Sequence, residues 1–195
     1  MNEQLSVNYF KKTDENNILA CDNIVLIGLP GSGKTSAGQH VARLFSWPFI
    51  DSDAEIEIAV GMSIKDYFSE AGERAFRDKE TVVLKELTAR QGPYILSTGG
   101  GAVLREKNRK LLRAAGFVIY LYATPDMLYR RLKWDTQRPL LQVVNPKAKI
   151  QSLFDERDAL YRATAHYVVE SPNDSLSSQA KMIIDLLKYY VPREQ

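Results

Sequence analysis

Eight residues, Gly28 to Thr35 (GLPGSGKT), carry the spacing G-x-x-x-x-G-K-[ST], and those residue types at that spacing bind phosphate. Without a Cβ, Gly28, Gly31 and Gly33 reach backbone angles that other residues avoid. The main chain can therefore close around an anion with successive N–H groups pointing inward. An apolar run, Ile24 to Ile27, precedes the loop, and a helix-like stretch, Ser36 to Phe45, follows it. A helix starting there turns the positive end of its dipole on the same anion. Lys34 is spaced to reach the β- and γ-phosphates of a nucleoside triphosphate, and Thr35 to offer its hydroxyl to Mg²⁺. A glycine-rich turn that matches by chance is the alternative, and the strand and helix on either side argue against it.

Two more clusters carry chemistry. Asp51 and Asp53 follow the apolar pair Phe49-Ile50. A carboxylate near Mg²⁺ can hold a metal-bound water, and one beside an acceptor hydroxyl can orient it and take its proton. If the chain is extended there, the two side chains point to opposite sides, one to the metal and one to the acceptor. Asp53 or Ser52 could instead cap a helix starting at Ala54, which would account for one acidic residue but not two. Three consecutive glycines, Gly99 to Gly101, follow Ser97 and Thr98. They cost backbone entropy, and their use would be to let a ligand approach the main chain and receive its N–H groups. A loose turn before a helix near Glu106 explains them equally well.

The arginines are ambiguous alone. Arg77 (in AFRDKE) and Arg157 (in DERDALYR) sit in charged helical stretches, where most arginines are solvated. A guanidinium is also the natural bidentate partner of a carboxylate on a small substrate. The stretch Trp134 to Pro146 has neither helical nor strand period and contains Pro139 and Pro146. Such a segment can act as a lid that brings Arg138 over the γ-phosphate, or it is an ordinary surface loop.

Elements that would position these groups alternate along the chain. Apolar runs at Ile24–Ile27, Phe49–Ile50, Tyr94–Leu96, Phe117–Tyr122 and Tyr167–Val169 are near-continuous, as in strands covered on both faces. Between them, Glu106–Ala115, Pro125–Lys133 and Ile150–Arg162 carry apolar residues at helical spacing, and Ser175 to Tyr190 reads as an amphipathic helix. Gly116 suits a helix end. The pattern is α/β, a parallel sheet between helices. In such sheets ligands bind at the carboxyl ends of strands, so the three clusters are expected to converge on one cleft.

Composition sets the outer limits. A chain of 195 residues with 45% hydrophobic content suits one domain with a real core. Residues 1–22 read as a flexible extension, 23–190 as the domain and 191–195 as a tail. The net charge of +2 gives no reason to expect nucleic acid or an anionic membrane. The lone Cys21 forms no internal disulfide, and the first residues lack the apolar core of a signal peptide. No apolar run approaches the ~18 residues of a membrane span. His40 and His166 read as structural rather than metal-binding. A cytoplasmic monomer is the expectation.

The ordered set GLPGSGKTSAG, FIDSDAEIE, FSEAGERAFRDKE, LSTGGGAVL, RPLL and ERDALYR resembles the shikimate kinases, over about residues 23 to 170. The resemblance implies a three-layer α/β/α P-loop fold with a central parallel sheet of about five strands, order 2-3-1-4-5. It also implies a substrate-binding region near residues 52–90 and a lid near 134–146. The implied reaction is ATP plus shikimate to shikimate 3-phosphate and ADP, with one Mg²⁺. ATP would be held by Gly31, Ser32, Gly33, Lys34, Thr35 and Ser36, with Arg131 on adenine and Arg138 on the phosphates. Thr35 would bind Mg²⁺ directly, Asp51 and Ser97 through water. Asp53 would be the base, Arg77 and Arg157 would grip the shikimate carboxylate, and Gly99, Gly100 and Gly101 would wall the pocket. Ala159 stands where the family often has proline, which would alter a helix start. A gluconate-type kinase and a nucleotide switch without transfer activity are the competing readings.

Overall fold

The computed structural model describes residues 10–12, 23–133, 143–170 and 176–190. Five parallel strands form the body of the sheet: β2 (Ile24–Ile27), β3 (Phe49–Asp51), β4 (Ile95–Ser97), β5 (Phe117–Tyr122) and β6 (Tyr167–Glu170). Their spatial order is β3-β4-β2-β5-β6, which is the expected 2-3-1-4-5. A sixth strand, β1 (Phe10–Lys12), adds antiparallel to β6, with Phe10 beside Val169. Part of the stretch read as a flexible extension thus lies on the sheet edge. The rest of residues 1–22 and the tail 191–195 lie outside the described residues.

Alternation along the strands divides the core in two. Val25, Ile27, Leu96, Val118 and Tyr120 face helices α2 (Ser52–Val60), α3 (Ile64–Thr88), α4 (Glu106–Ala115), α5 (Pro125–Leu132) and α6 (Pro146–Thr164). Ile24, Leu26, Ile95, Ile119 and Leu121 face α1 (Lys34–Phe45) and α7 (Leu176–Tyr190). Each central strand is covered on both sides, which is why its sequence is an unbroken apolar run. On α7, the expected apolar face is buried at Ile183, Leu186 and Leu187.

Local signals start and stop these helices. Thr124 caps α5 and Asn145 caps α6, each followed by proline at the first helical position. There the missing N–H costs nothing and φ is already helical. Pro146, the expected end of the lid, is thus the first residue of α6. The other lid residues from Trp134 to Gln142, Arg138 among them, lie outside the described residues. Helix α6 runs unbroken through Ala159, so no helix starts there; a proline at that position would remove a mid-helix hydrogen bond. Helix α3 is two segments, 64–71 and 73–88, hinged at Gly72 with φ 79°. The turn lets the second segment, with Arg77, leave at a new angle.

Gly116 ends α4 as expected, directly after Ala115, but not in the usual capping conformation. Its φ of 172° is extended, not left-handed. Space is the reason for glycine there: an added Cβ would strike the Asn23 carbonyl, which accepts the Phe117 N–H at 2.8 Å and fastens β5 beside β2. Forcing a methyl into a packed site costs about 1–3 kcal/mol. Gly116→Ala is therefore expected to lower the melting temperature by several degrees, at about 2–4 °C per kcal/mol for a chain this size. An unchanged Tm in a thermal scan would contradict this packing.

Candidate active site

Strand register brings the chemistry to one edge. Leu26 lies beside Ser97, and Ser97 beside Asp51. The phosphate loop, the Asp51–Asp53 turn and the glycine turn therefore all leave the sheet at its carboxyl end. One cavity of about 480 Å³ opens there. The phosphate loop lines one side, through Pro30, Gly31 and Gly33 to Ser36. Asp51, Asp53, Ser97, Thr98 and Gly100 line another, and Arg131 and Leu132 close a third.

The phosphate loop is held in an anion-binding shape. Gly31 and Gly33 have φ of 81° and 98°, a region that disfavours a Cβ. Gly31 also has no room for one, since it would lie 2.7 Å from Leu132 Cγ. Lys34 is 8% exposed, and its Nζ donates to the Gly28 and Leu29 carbonyls at 2.8 and 3.0 Å. The ammonium is thereby fixed at the loop. Arg131, from α5, donates to the Gly31 carbonyl at 3.1 Å.

The acidic pair divides its work differently from either sequence reading. Helix α2 begins at Ser52, and its cap is Asp51, whose Oδ1 accepts the Asp53 N–H at 3.0 Å. Capping therefore falls on Asp51, and Asp53 and Ser52 are free of it. The other Asp51 oxygen accepts the Thr35 hydroxyl at 3.3 Å. Thr35, Asp51 and the neighbouring Ser97 present hard oxygen donors, the kind Mg²⁺ takes alongside phosphates and water. Among the described residues no three His, Cys, Asp or Glu side chains gather into a metal cage. His166 is structural: its Nδ1 accepts the Val118 N–H at 2.9 Å.

Asp53 is electrostatically set apart. Burial, reinforced by the negative charge of Asp51, pushes its pKa up to about 6, against the pull of Lys34. A carboxylate so raised is a better proton acceptor near neutral pH than an ordinary one.

The glycine turn wraps around the side chains that matter. A Cβ on Gly99 would collide with Asp53 Oδ1, and one on Gly101 would lie 2.6 Å from the Arg77 guanidinium carbon. A Cβ on Gly100 would lie 2.8 Å from Pro30 Cδ in the phosphate loop. Of the N–H groups expected to serve a ligand, that of Gly99 is committed instead to Ser52 Oγ at 2.9 Å. Neither arginine behind the turn is a solvated surface residue. Arg77 has a side chain 14% exposed and donates from Nη1 to both Glu80 oxygens at 3.0 Å. Arg157 is 8% exposed, and its Nη1 donates to the Gly100 carbonyl at 3.3 Å. Glu80 is itself buried, and that burial raises its pKa although Arg77 opposes the shift. The cavity lining ends at Gly100, so Arg77, Gly99, Gly101 and Arg157 form a shell behind it.

The sequence reading gives no role to Glu80, Thr98 or Tyr161, and offers Ser52 only as a helix cap. Glu80 is three residues after Arg77 on one helix, a spacing that signals an ion pair. Ser52, Thr98 and Tyr161 meet the glycine turn or β2 only through long-range contacts, which leave no local mark.

A phosphate loop at the carboxyl end of a parallel sheet, facing a raised carboxylate, defines a P-loop phosphotransferase. Comparison with known proteins identifies its kind. The shikimate kinase family model matches residues 30–188. Shikimate kinase of Ralstonia nicotianae is 46% identical over 166 residues, covering 85% of this chain and 87% of that protein. That of Paracidovorax citrulli is 51% identical over 148 residues, covering 75% and 81%. A structure of shikimate kinase from Acinetobacter baumannii in complex with shikimate superposes with a TM-score of 0.81 at 43% identity, covering 87% of this chain and 94% of that one. The chain belongs to the shikimate kinase family, and its activity is that of an ATP-dependent kinase acting on shikimate. The gluconate-type and switch readings give way to it.

The Asp53 shift has a measurable consequence. With a native pKa above the ordinary 3.8, the folded protein binds more protons than the unfolded chain between about pH 4 and 6, so stability falls as pH rises through that window. Above it the charged carboxylate costs on the order of 2–3 kcal/mol. Asp53→Asn is expected to raise Tm by several degrees at pH 8 and by little at pH 4, while abolishing turnover. Equal Tm values for mutant and parent at pH 8 would contradict the burial of this charge.

Proposed function

We propose that this cleft transfers the ATP γ-phosphoryl group to the 3-hydroxyl of shikimate, giving shikimate 3-phosphate and ADP on the route to aromatic amino acids. The observation that carries this reading is that Asp53 shares one cavity with Lys34 and Thr35, with the buried Arg157 and the half-buried Arg77 against its glycine turn.

In this reading Asp53 accepts the hydrogen bond of the attacking hydroxyl and takes its proton. Its raised pKa brings proton affinity near working pH without neutralising it there. Lys34 and the backbone of residues 31–36 hold the β- and γ-phosphates and offset charge developing on the transferred group. Thr35 would hold Mg²⁺ directly, and Asp51 and Ser97 through water, and the ion would supply positive charge against the phosphates. Arg77 and Arg157 pair with the shikimate carboxylate, which orients the ring so that its hydroxyl meets Asp53. Arg131 packs on adenine, and Arg138, outside the described residues, completes the phosphate site from the lid. A monomer in the cytoplasm is part of the same proposal; the lone Cys21 fits a reducing compartment. Among the described residues no helix is long and apolar enough to cross a membrane.

ADP release measured with ATP and Mg²⁺, with and without shikimate and with gluconate as a parallel acceptor, tests the reaction. Shikimate-dependent release that disappears in Lys34→Ala is expected, and release independent of shikimate would overturn the proposal. The wall offers a finer test. Gly101→Ala pushes Arg77 and is expected to raise the KM for shikimate severalfold while leaving that for ATP unchanged. Gly99→Ala pushes Asp53 and is expected to lower kcat about tenfold or more, as misplaced reacting groups do. If both variants changed only the KM for ATP, the roles of Arg77 and Asp53 would be wrong.

A further inference from the structure

Two donors converge on the Gly100 carbonyl, and only one of them has been given a substrate. The Tyr161 hydroxyl donates to this oxygen, and so does Arg157 Nη1, at 3.3 Å. Tyr161 is fully buried on α6, one turn after Arg157. Its ring stacks on Tyr120 of β5, with centroids 4.9 Å apart and planes 26° from parallel. Tyr120 in turn donates its hydroxyl to Asp158 at 3.0 Å, and Asp158 accepts from Arg162 at 2.8 Å. Stacking and this network hold the Tyr161 ring, so its hydroxyl is not needed to keep the ring in place. Burial raises the phenol's pKa, which keeps it a proton donor at any working pH.

We propose that Tyr161 is a positioning residue whose hydroxyl satisfies the Gly100 carbonyl, so that Arg157 can turn its Nη1 to the substrate's carboxylate without stranding that carbonyl. The inference rests on the assignment of Arg157 to the carboxylate. Once substrate fills the cavity and excludes water, a carbonyl left without a donor carries a desolvation cost, whereas one that keeps a donor does not. In the parent enzyme, Arg157 can change partners because Tyr161 stays behind. Without the hydroxyl, Arg157 must choose between backbone and substrate. The cost would appear on substrate binding and not in the free enzyme, where Arg157 still serves Gly100.

Tyr161→Phe removes the hydroxyl and keeps the ring. It is expected to raise the KM and Kd for shikimate about tenfold, equivalent to 1.4 kcal/mol, with the KM for ATP unchanged and Tm within a few degrees of the parent. Tyr120→Phe removes a hydroxyl from the same stack without touching Gly100 and is expected to leave both KM values unchanged. In an Arg157→Ala background, Tyr161→Phe is expected to add nothing to the loss of shikimate affinity, because no partner is left to compete for. An unchanged Kd for shikimate in Tyr161→Phe, or a tenfold loss that persists without Arg157, would overturn the inference while leaving the carboxylate assignment standing. If Arg157→Ala alone left shikimate affinity intact, that assignment would fall, and the inference with it.

Discussion

The parallel register of β3, β4 and β2 is the constraint on which the site depends. Leu26, Ser97 and Asp51 stand level across three neighbouring strands, so three loops begin at one height. Each strand is buried on both faces, and a slip of one residue would turn core side chains toward the wrong layer. The core therefore fixes the register, and the register fixes how far the phosphate loop lies from the Asp51–Asp53 turn. The Thr35 hydroxyl reaching Asp51 at 3.3 Å is a direct result. No loop has to find the others.

Within that frame the glycine turn acts as a spacer between machines. Its missing side chains leave room for Asp53 on one side, Pro30 of the phosphate loop in the middle, and Arg77 on the other. Its backbone is pinned from outside: Ser52 takes the Gly99 N–H, and Arg157 and Tyr161 hold the Gly100 carbonyl. Charges are arranged with equal economy. Asp53 is held near Lys34 with its proton affinity raised toward neutral pH, whereas Glu80 is buried against Arg77 and steadies that guanidinium. A site ordered this way spends little on reorganisation when charge moves during transfer.

Much of this was legible in the sequence, for identifiable reasons. Central strands such as Ile24–Ile27 and Phe117–Tyr122 read correctly because burial on both faces writes an unbroken apolar run. Helix α4 read correctly at Glu106–Ala115 because its apolar period is clean. The phosphate loop read correctly because backbone shape, charge and hydroxyl are all local. The errors lie where a residue answers to something distant. Gly116 does end α4, but it must be glycine because the distant Asn23 carbonyl crosses it, which no local pattern shows. Capping was weighed only for Asp53 or Ser52, because nothing in DSD says that the helix starts one residue after Asp51. Arg77 and Arg157 were indistinguishable from surface arginines until the glycine turn was seen to cover them. The edge strand Phe10–Lys12 was invisible, since three residues beside β6 carry no period.

The most direct test is a crystal structure of the protein with shikimate, Mg²⁺ and a non-hydrolysable ATP analogue. The account expects the shikimate carboxylate between Arg77 and Arg157, its 3-hydroxyl on an Asp53 oxygen, and the terminal phosphate on Lys34. Shikimate bound with its carboxylate away from both arginines, or with Asp53 out of reach of the hydroxyl, would contradict it.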